Sequence, residues 1–100
     1  MSTDNSARSR ATVTTDRPDR YAKQLVAHLG RRNGGEWSAE THTGWIDLGS
    51  GRATVTGGSS ELVLELRCAA DESSRLEEVL GSHLMRFGKN DELVVTWEPV

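Results

Sequence analysis

Two histidines are the side chains in this sequence best suited to chemistry. His28 falls beside Tyr21 and Leu25 on one predicted helix, and His83 falls within the apolar stripe of a second. An imidazole that faces a protein core titrates near neutrality, so it can act as an acid–base group or bind a metal ion. The competing interpretation is that each ring fills space and hydrogen-bonds a neighbouring polar group, and we favour that structural role.

No shared metal site is expected from these residues. In a layered fold the two helices would run antiparallel, and both histidines come late in their helices, so we expect the rings near opposite ends of the sheet. His42 falls in a predicted turn and lacks the spacing of a zinc pair. Cys68 falls on the buried side of a strand with no activating partner, which favours a core residue over a nucleophile. We therefore assign no metal, no cofactor and no catalytic residue.

A candidate binding surface comes from exposed aromatic and charged residues. Trp45 and Asp47 are expected to project from an open sheet face, where an exposed Trp would be a recognition point. Arg20, Lys23 and Arg86 would form a basic rim for a carboxylate or phosphate, although solvated helix flanks explain them equally well. With the two histidines, the candidate binding residues are Arg20, Lys23, His28, Trp45, Asp47, His83 and Arg86.

Hydrophobic periodicity predicts the elements that position these residues. Apolar residues at helical spacing predict a first helix over residues 17–29, with Asp16 as its N-cap and Gly30 at its end. A second helix is expected with Asp71 as its cap and an end near residue 87, and Gly81 lies opposite its apolar stripe. Alternating or β-branched runs predict strands at about residues 11–14, 36–40, 45–48, 52–56, 61–68 and 92–98.

The resulting order of elements is β-α-β-β-β-β-α-β. Each strand has one apolar face and each helix has one apolar stripe. We therefore predict an α+β fold in which both helices pack on one face of a mostly antiparallel sheet. The opposite face of the sheet would be a polar surface, open either to solvent or to a partner.

Length and composition limit the chain to one domain. It has 100 residues and a single cysteine, so no intrachain disulfide can form. We expect a flexible N-terminal tail over residues 1–7 and a single domain over residues 8–100. No apolar run approaches the roughly 18 residues that span a bilayer, and no signal-peptide pattern opens the chain. A cytoplasmic location without a membrane partner is the expectation.

Charge is distributed unevenly along the chain. Residues 8–32 carry seven basic and two acidic side chains, whereas residues 33–100 carry five basic and twelve acidic ones. Such asymmetry can mark an anion-binding face. The basic block contains no nucleic-acid-binding motif, so we expect a mixed surface and no nucleic-acid partner.

Three stretches of the chain carry a family resemblance. They are Asp16-Arg17-Pro18 through Arg20-Tyr21 and Lys23-Gln24-Leu25 to His28, then Gly44-Trp45-Ile46-Asp47-Leu48 with Gly51, and finally Gly81-Ser82-His83-Leu84-Met85-Arg86-Phe87 with Glu92-Leu93 and Trp97. Together these stretches resemble the bacterial family known as domain of unknown function 2218. The similarity extends over about residues 9–98.

The resemblance implies little about activity. The family has no assigned activity, but similar domains occur joined to flavin-dependent siderophore-interacting reductases, which release iron from ferric siderophores. A free-standing partner or binding module in iron acquisition is therefore implied. This chain has no flavin or nicotinamide domain, so it would not perform the reductase chemistry by itself.

These observations favour a small, non-enzymatic binding or accessory module. Its expected partner is a siderophore-interacting reductase or a small anionic ligand. Two alternatives stay open. One is a small enzyme that uses a helix histidine as its acid–base group, and the other is a homo-oligomer that buries the open sheet face.

Overall fold

Alternating apolar residues build the strands of this protein, and apolar residues at helical spacing build its two helices. The structure is a computed structural model that describes residues 6–100. In chain order the elements are β1 (Ser6–Thr14), α1 (Pro18–Asn33), β2 (Gly35–Ser38), β3 (Thr43–Asp47), β4 (Gly51–Gly57), β5 (Glu61–Ala69), α2 (Ser73–Phe87) and β6 (Trp97–Pro99), with short 3-10 helices at Ala70–Glu72 and Lys89–Asp91.

The six strands form one antiparallel sheet in the order β2-β3-β4-β5-β1-β6. Strands β1 and β5 pair along their whole length, from Ser6 opposite Ala69 to Thr14 opposite Glu61. Short turns connect β2 to β3, β3 to β4 and β4 to β5, as antiparallel neighbours allow. The predicted order of elements and the predicted α+β class are both confirmed.

Both helices cover the same face of the sheet. Alternate residues of β1, β4 and β5 are buried on that face, and they pack against the apolar stripes of α1 and α2. Leu64 at the centre of β5 and Leu25 and Leu80 on the two helices are completely buried. Because only one face is covered, the other residues of each strand point to the uncovered face. Neither helix within residues 6–100 has the length and hydropathy needed to cross a membrane.

Helix α1 differs from its predicted bounds at both ends. It begins at Pro18 without a side-chain cap, and the hydroxyl of Thr15, not the carboxylate of Asp16, accepts a hydrogen bond from the Arg17 N–H at 3.1 Å. It also continues past Gly30 to Asn33. A Cβ at Gly30 would lie 3.0 Å from the Cα of Gly35, so this glycine serves the close approach of α1 to β2 and does not end the helix.

The terminal strands also differ from the sequence prediction. Ser6 and Ala7, which were predicted to belong to the tail, are paired in β1 opposite Ala69 and Cys68, and the rest of the predicted tail, residues 1–5, lies outside the described residues. The last strand contains only Trp97–Pro99, the part of the predicted strand that pairs with β1, and Glu92 at the start of the predicted strand adopts a left-handed conformation with φ of 51°.

Helix α2 begins after a 3-10 turn at Ala70–Glu72, and Asp71 provides no side-chain cap. Gly81, which is predicted to lie opposite the apolar stripe, is nevertheless buried, because Val95 and Trp97 lie against it. A Cβ at Gly81 would lie 3.5 Å from Val95 Cγ1 and 3.7 Å from Trp97 Nε1, which are ordinary van der Waals distances.

Gly81→Ala is expected to stabilise the protein by about 0.5–1 kcal/mol, because alanine is the better helix former and its methyl group has room. Denaturant unfolding measures the change in the free energy of unfolding. Gly88→Ala is the matched control, since a Cβ there would lie 2.2 Å from Cδ1 and 2.6 Å from Cγ of the buried Leu93, which would have to move, so we expect this variant to be destabilised. A loss of stability in Gly81→Ala comparable to that of the control would contradict the packing described for α2.

Candidate functional site

The two helices run antiparallel, and this arrangement creates a cleft between them. Strands β1 and β5 are antiparallel and each leads into a helix. Accordingly, Tyr21 in the first turns of α1 donates a hydrogen bond to the carboxylate of Asp91, which lies just beyond the end of α2. At the opposite end, the last turn of α1 meets the first turns of α2 across a cleft of about 500 Å³.

The cleft combines an apolar floor with a basic rim. Leu76 is buried, and Leu29, Leu48 and Val79 are half-buried around it. The polar residues of the cleft come from α1, α2 and the end of β3, and they are His28, Arg31, Arg32, Asn33, Asp47, Arg75 and His83. Three guanidinium groups therefore lie around one carboxylate, so the cleft is suited to an anion that has an apolar body.

The three arginines of the cleft differ in whether their side chains have hydrogen-bond partners in the protein. Arg75 donates from Nε to the Glu72 carboxylate at 2.7 Å and from Nη2 to the Ser50 hydroxyl at 3.0 Å. The hydrogen bond from Arg75 lowers the pKa of Glu72 below its usual value and raises the pKa of Arg75. Arg31 and Arg32 are exposed and make no ion pair within 4.0 Å in the described part of the chain. These two side chains are therefore available to a ligand.

The two histidines lie side by side, so the prediction that they occupy opposite ends of the sheet was wrong. Their ring centroids are 5.1 Å apart, and Phe87 lies edge-on to His28 at 5.5 Å. The helices are antiparallel as expected, but they are staggered. Five residues of α1 follow His28 and ten residues of α2 precede His83, so α2 extends roughly 7 Å past the end of α1.

Hydrogen bonding orients one of the two rings. Nδ1 of His83 lies 2.7 Å from the carbonyl oxygen of Val79. Since a carbonyl can only accept, Nδ1 carries the proton, and Nε2 keeps its lone pair. The ring of His83 is half-buried and that of His28 is exposed. The pair can thus offer a hydrogen-bond acceptor and, when protonated, positive charge.

The residues that were singled out from the sequence separate into three places. His28, Asp47 and His83 border the cleft, and the carboxylate of Asp47 accepts a hydrogen bond from the Gly49 N–H at 2.9 Å. Trp45 lies half-buried on the uncovered sheet face. Arg20, Lys23 and Arg86 are exposed on the helices, outside the cleft.

Sequence reasoning missed Arg31, Arg32 and Arg75 as cleft residues. Arg31 and Arg32 follow the predicted end of α1, where basic residues are common because they offset the negative end of a helix dipole, so they did not stand out. The signal that could have found them is positional: in two antiparallel helices, basic residues in the last turn of one meet basic residues in the first turn of the other.

The cysteine and the third histidine that were considered from the sequence lie outside the cleft. Cys68 is buried in the core, and burial raises the pKa of its thiol, which disfavours the reactive thiolate. His42 is exposed in its turn, and its Nδ1 is hydrogen-bonded to Asp19. Within residues 6–100, no group of three or more His, Cys, Asp or Glu side chains is placed to hold a metal ion.

Comparison with known proteins identifies the family. The sequence pattern of DUF2218, described as uncharacterised proteins conserved in bacteria, matches residues 10–98. The chain belongs to the DUF2218 family. This DUF2218 chain is also similar to a protein of known structure, described as the NMR structure of PA4090 from Pseudomonas aeruginosa, with a TM-score of 0.71 and 26% sequence identity over 93% of this chain and 96% of that one. Among curated proteins, none matches.

Replacing Glu72 tests how the cleft residue Arg75 is held. Because the folded-state pKa of Glu72 is depressed, its stabilising effect is present above the ordinary pKa of 4.5 and is lost as pH falls through the folded value. We expect Glu72→Gln to lower the melting temperature slightly at pH 7, with the difference from the parent vanishing in acid.

Thermal unfolding of both proteins between pH 7 and pH 3 measures this effect. Glu78→Gln is a suitable control because Glu78 is exposed on α2 and makes no ion pair within residues 6–100. A pH-independent difference between the parent and Glu72→Gln would show that the ion pair with Arg75 does not form in solution.

Proposed function

We propose that this DUF2218 protein is a binding protein for a small organic anion, which it holds in the cleft between α1 and α2. The observation that carries the proposal is the placement of Arg31, Arg32 and Arg75 around a cleft whose floor is apolar. An apolar floor favours a ligand with a hydrocarbon or aromatic body, and guanidinium groups favour a carboxylate, phosphate or catecholate at its edge.

The dimensions of the cleft support a ligand of this class. A cleft of about 500 Å³ lies within the range of roughly 300–1,000 Å³ that small-molecule sites occupy. Its composition also suits such a ligand, because an apolar floor is combined with convergent polar groups around it. An inorganic ion would leave the apolar floor uncovered, so a larger organic anion fits better.

The two imidazoles add hydrogen-bonding groups to the positive charges of the site. His83 has a fixed ring orientation through Val79, and its Nε2 can accept a hydrogen bond from a ligand hydroxyl. Protonation of either ring would add a donor next to Arg31 and Arg32. The imidazoles can therefore discriminate between ligands that carry a hydroxyl beside the acid group and ligands that do not.

The family resemblance suggests which organic anions to test first. Ferric siderophores are anionic organic chelates, and similar domains occur joined to siderophore-interacting reductases. We propose a ferric siderophore, or an aromatic acid of the kind from which catecholate siderophores are built, as the ligand. A siderophore-interacting reductase is the corresponding protein partner.

Arg31→Gln combined with Arg32→Gln is expected to weaken binding of an aromatic hydroxy acid by about tenfold or more, because two charge-assisted hydrogen bonds are lost. Salicylate and a ferric catecholate siderophore serve as probes. Amide chemical shifts measured during titration give the dissociation constant and locate the ligand at the facing ends of α1 and α2.

The matched control combines Arg20→Gln with Arg86→Gln. It removes the same amount of charge, one arginine from α1 and one from α2, at exposed positions outside the cleft. The control should bind like the parent. Equal weakening by the two double variants would mean that only the net charge of the protein matters for binding. If neither probe shifts the resonances of the cleft, the proposal is wrong.

An acid–base enzyme remains the second candidate, and one observation favours it. Two imidazoles in contact at a cleft, one with its tautomer fixed, are a suitable arrangement for proton transfer. Chemical turnover of a bound hydroxy acid that His83→Gln abolishes, while binding is retained, would favour the enzyme over the binding protein. The homo-oligomer alternative stays a prediction.

A further inference from the structure

Three arginines form a row across the uncovered face of the sheet. Arg8 on β1 is directly opposite Arg67 on β5, and Arg67 is directly opposite Arg52 on β4. All three side chains are exposed, while their neighbours along each strand are mostly buried beneath the helices. Adjacent strands are about 5 Å apart, so the three backbone positions span only about 10 Å. We call this set the arginine row.

The arginine row has no acidic partner within 4.0 Å among residues 6–100. Asp47 is directly opposite Arg52 in the next strand, but its carboxylate accepts the hydrogen bond from Gly49. The guanidinium of Arg52 lies instead over the ring of Trp45, 4.4 Å from its centroid. Trp45 thereby fixes Arg52 without neutralising its charge.

The neighbouring positions on the same face show a different arrangement. Two residues further along β1, Arg10 is directly opposite Glu65, and the two side chains form an ion pair at 3.3 Å. Opposite charges stabilise an antiparallel pair and like charges directly opposite destabilise it. The charge of Arg67 between two other arginines therefore does not favour strand pairing, and this points to a role outside folding.

We infer that the arginine row is a second binding site, for a small polyvalent oxyanion bearing phosphate or carboxylate groups. The row borders a shallow concavity of about 190 Å³, which is also lined by Thr54 and by Glu65, whose carboxylate is paired with Arg10. Planar guanidinium groups bind such oxyanions through paired N–H donors. Only Leu66 and Val100 are apolar among the described residues that line this concavity, which favours a compact and highly charged ligand over one with a large apolar body.

This site is independent of the proposed function, because the row and the cleft lie on opposite faces of the sheet. Titration of the full chain with pyrophosphate at low ionic strength should shift the amide resonances of β1, β4 and β5 around the row. Arg67→Gln should weaken that binding by about tenfold, because it removes the central guanidinium. A parallel titration with citrate distinguishes phosphate from carboxylate ligands.

Two controls make the outcome decisive. Arg10→Gln removes an arginine of the same strand face that is already paired with Glu65, and it should bind pyrophosphate within about twofold of the parent. Arg31→Gln with Arg32→Gln should leave the shifts on the sheet unchanged. The inference is overturned if neither pyrophosphate nor citrate shifts these strands, if sodium chloride at equal ionic strength gives the same shifts, or if Arg67→Gln and Arg10→Gln weaken binding equally.

Discussion

The structure depends on two amphipathic helices burying one face of a single antiparallel sheet. The completely buried leucines Leu25, Leu64 and Leu80 connect both helices to the middle strands, and no helix within residues 6–100 covers the other face. Burial of apolar surface is the dominant favourable term in folding. Because the core lies on one side of the sheet, polar residues are found on the uncovered face of the sheet and at the edges of the helices. The cleft and the arginine row both follow from it.

Antiparallel packing decides which charged residues meet. Because α1 and α2 are antiparallel, the end of α1 and the start of α2 lie on the same side of the domain, and residues far apart in the sequence surround one space. The strand register has the same effect on the uncovered face, where Arg8 and Arg67 become direct neighbours. Two basic surfaces thus arise on a chain whose net charge is −3. Local geometry, more than overall charge, determines what this protein can attract.

The sequence was sufficient for the fold and insufficient for the site, for physical reasons. The alternation of apolar and polar residues in β5 and the apolar stripes of both helices are strong local signals. The fold class, the order of the elements and the face of the sheet that the helices cover could therefore be predicted. Gly30 was misinterpreted because its role depends on contact with Gly35, which no local pattern reveals. The pairing of His28 with His83 depends on a stagger of about 7 Å, which follows from packing and not from helix length.

The most direct test of this account is the distance between the rings of His28 and His83 in solution. A nuclear Overhauser experiment on the full chain can detect proton pairs closer than about 5 Å. The account predicts cross-peaks between the ring protons of the two histidines, and from both histidines to Phe87. If each histidine instead showed contacts only within its own helix, the helices would pack in another register, and the cleft would not exist as described.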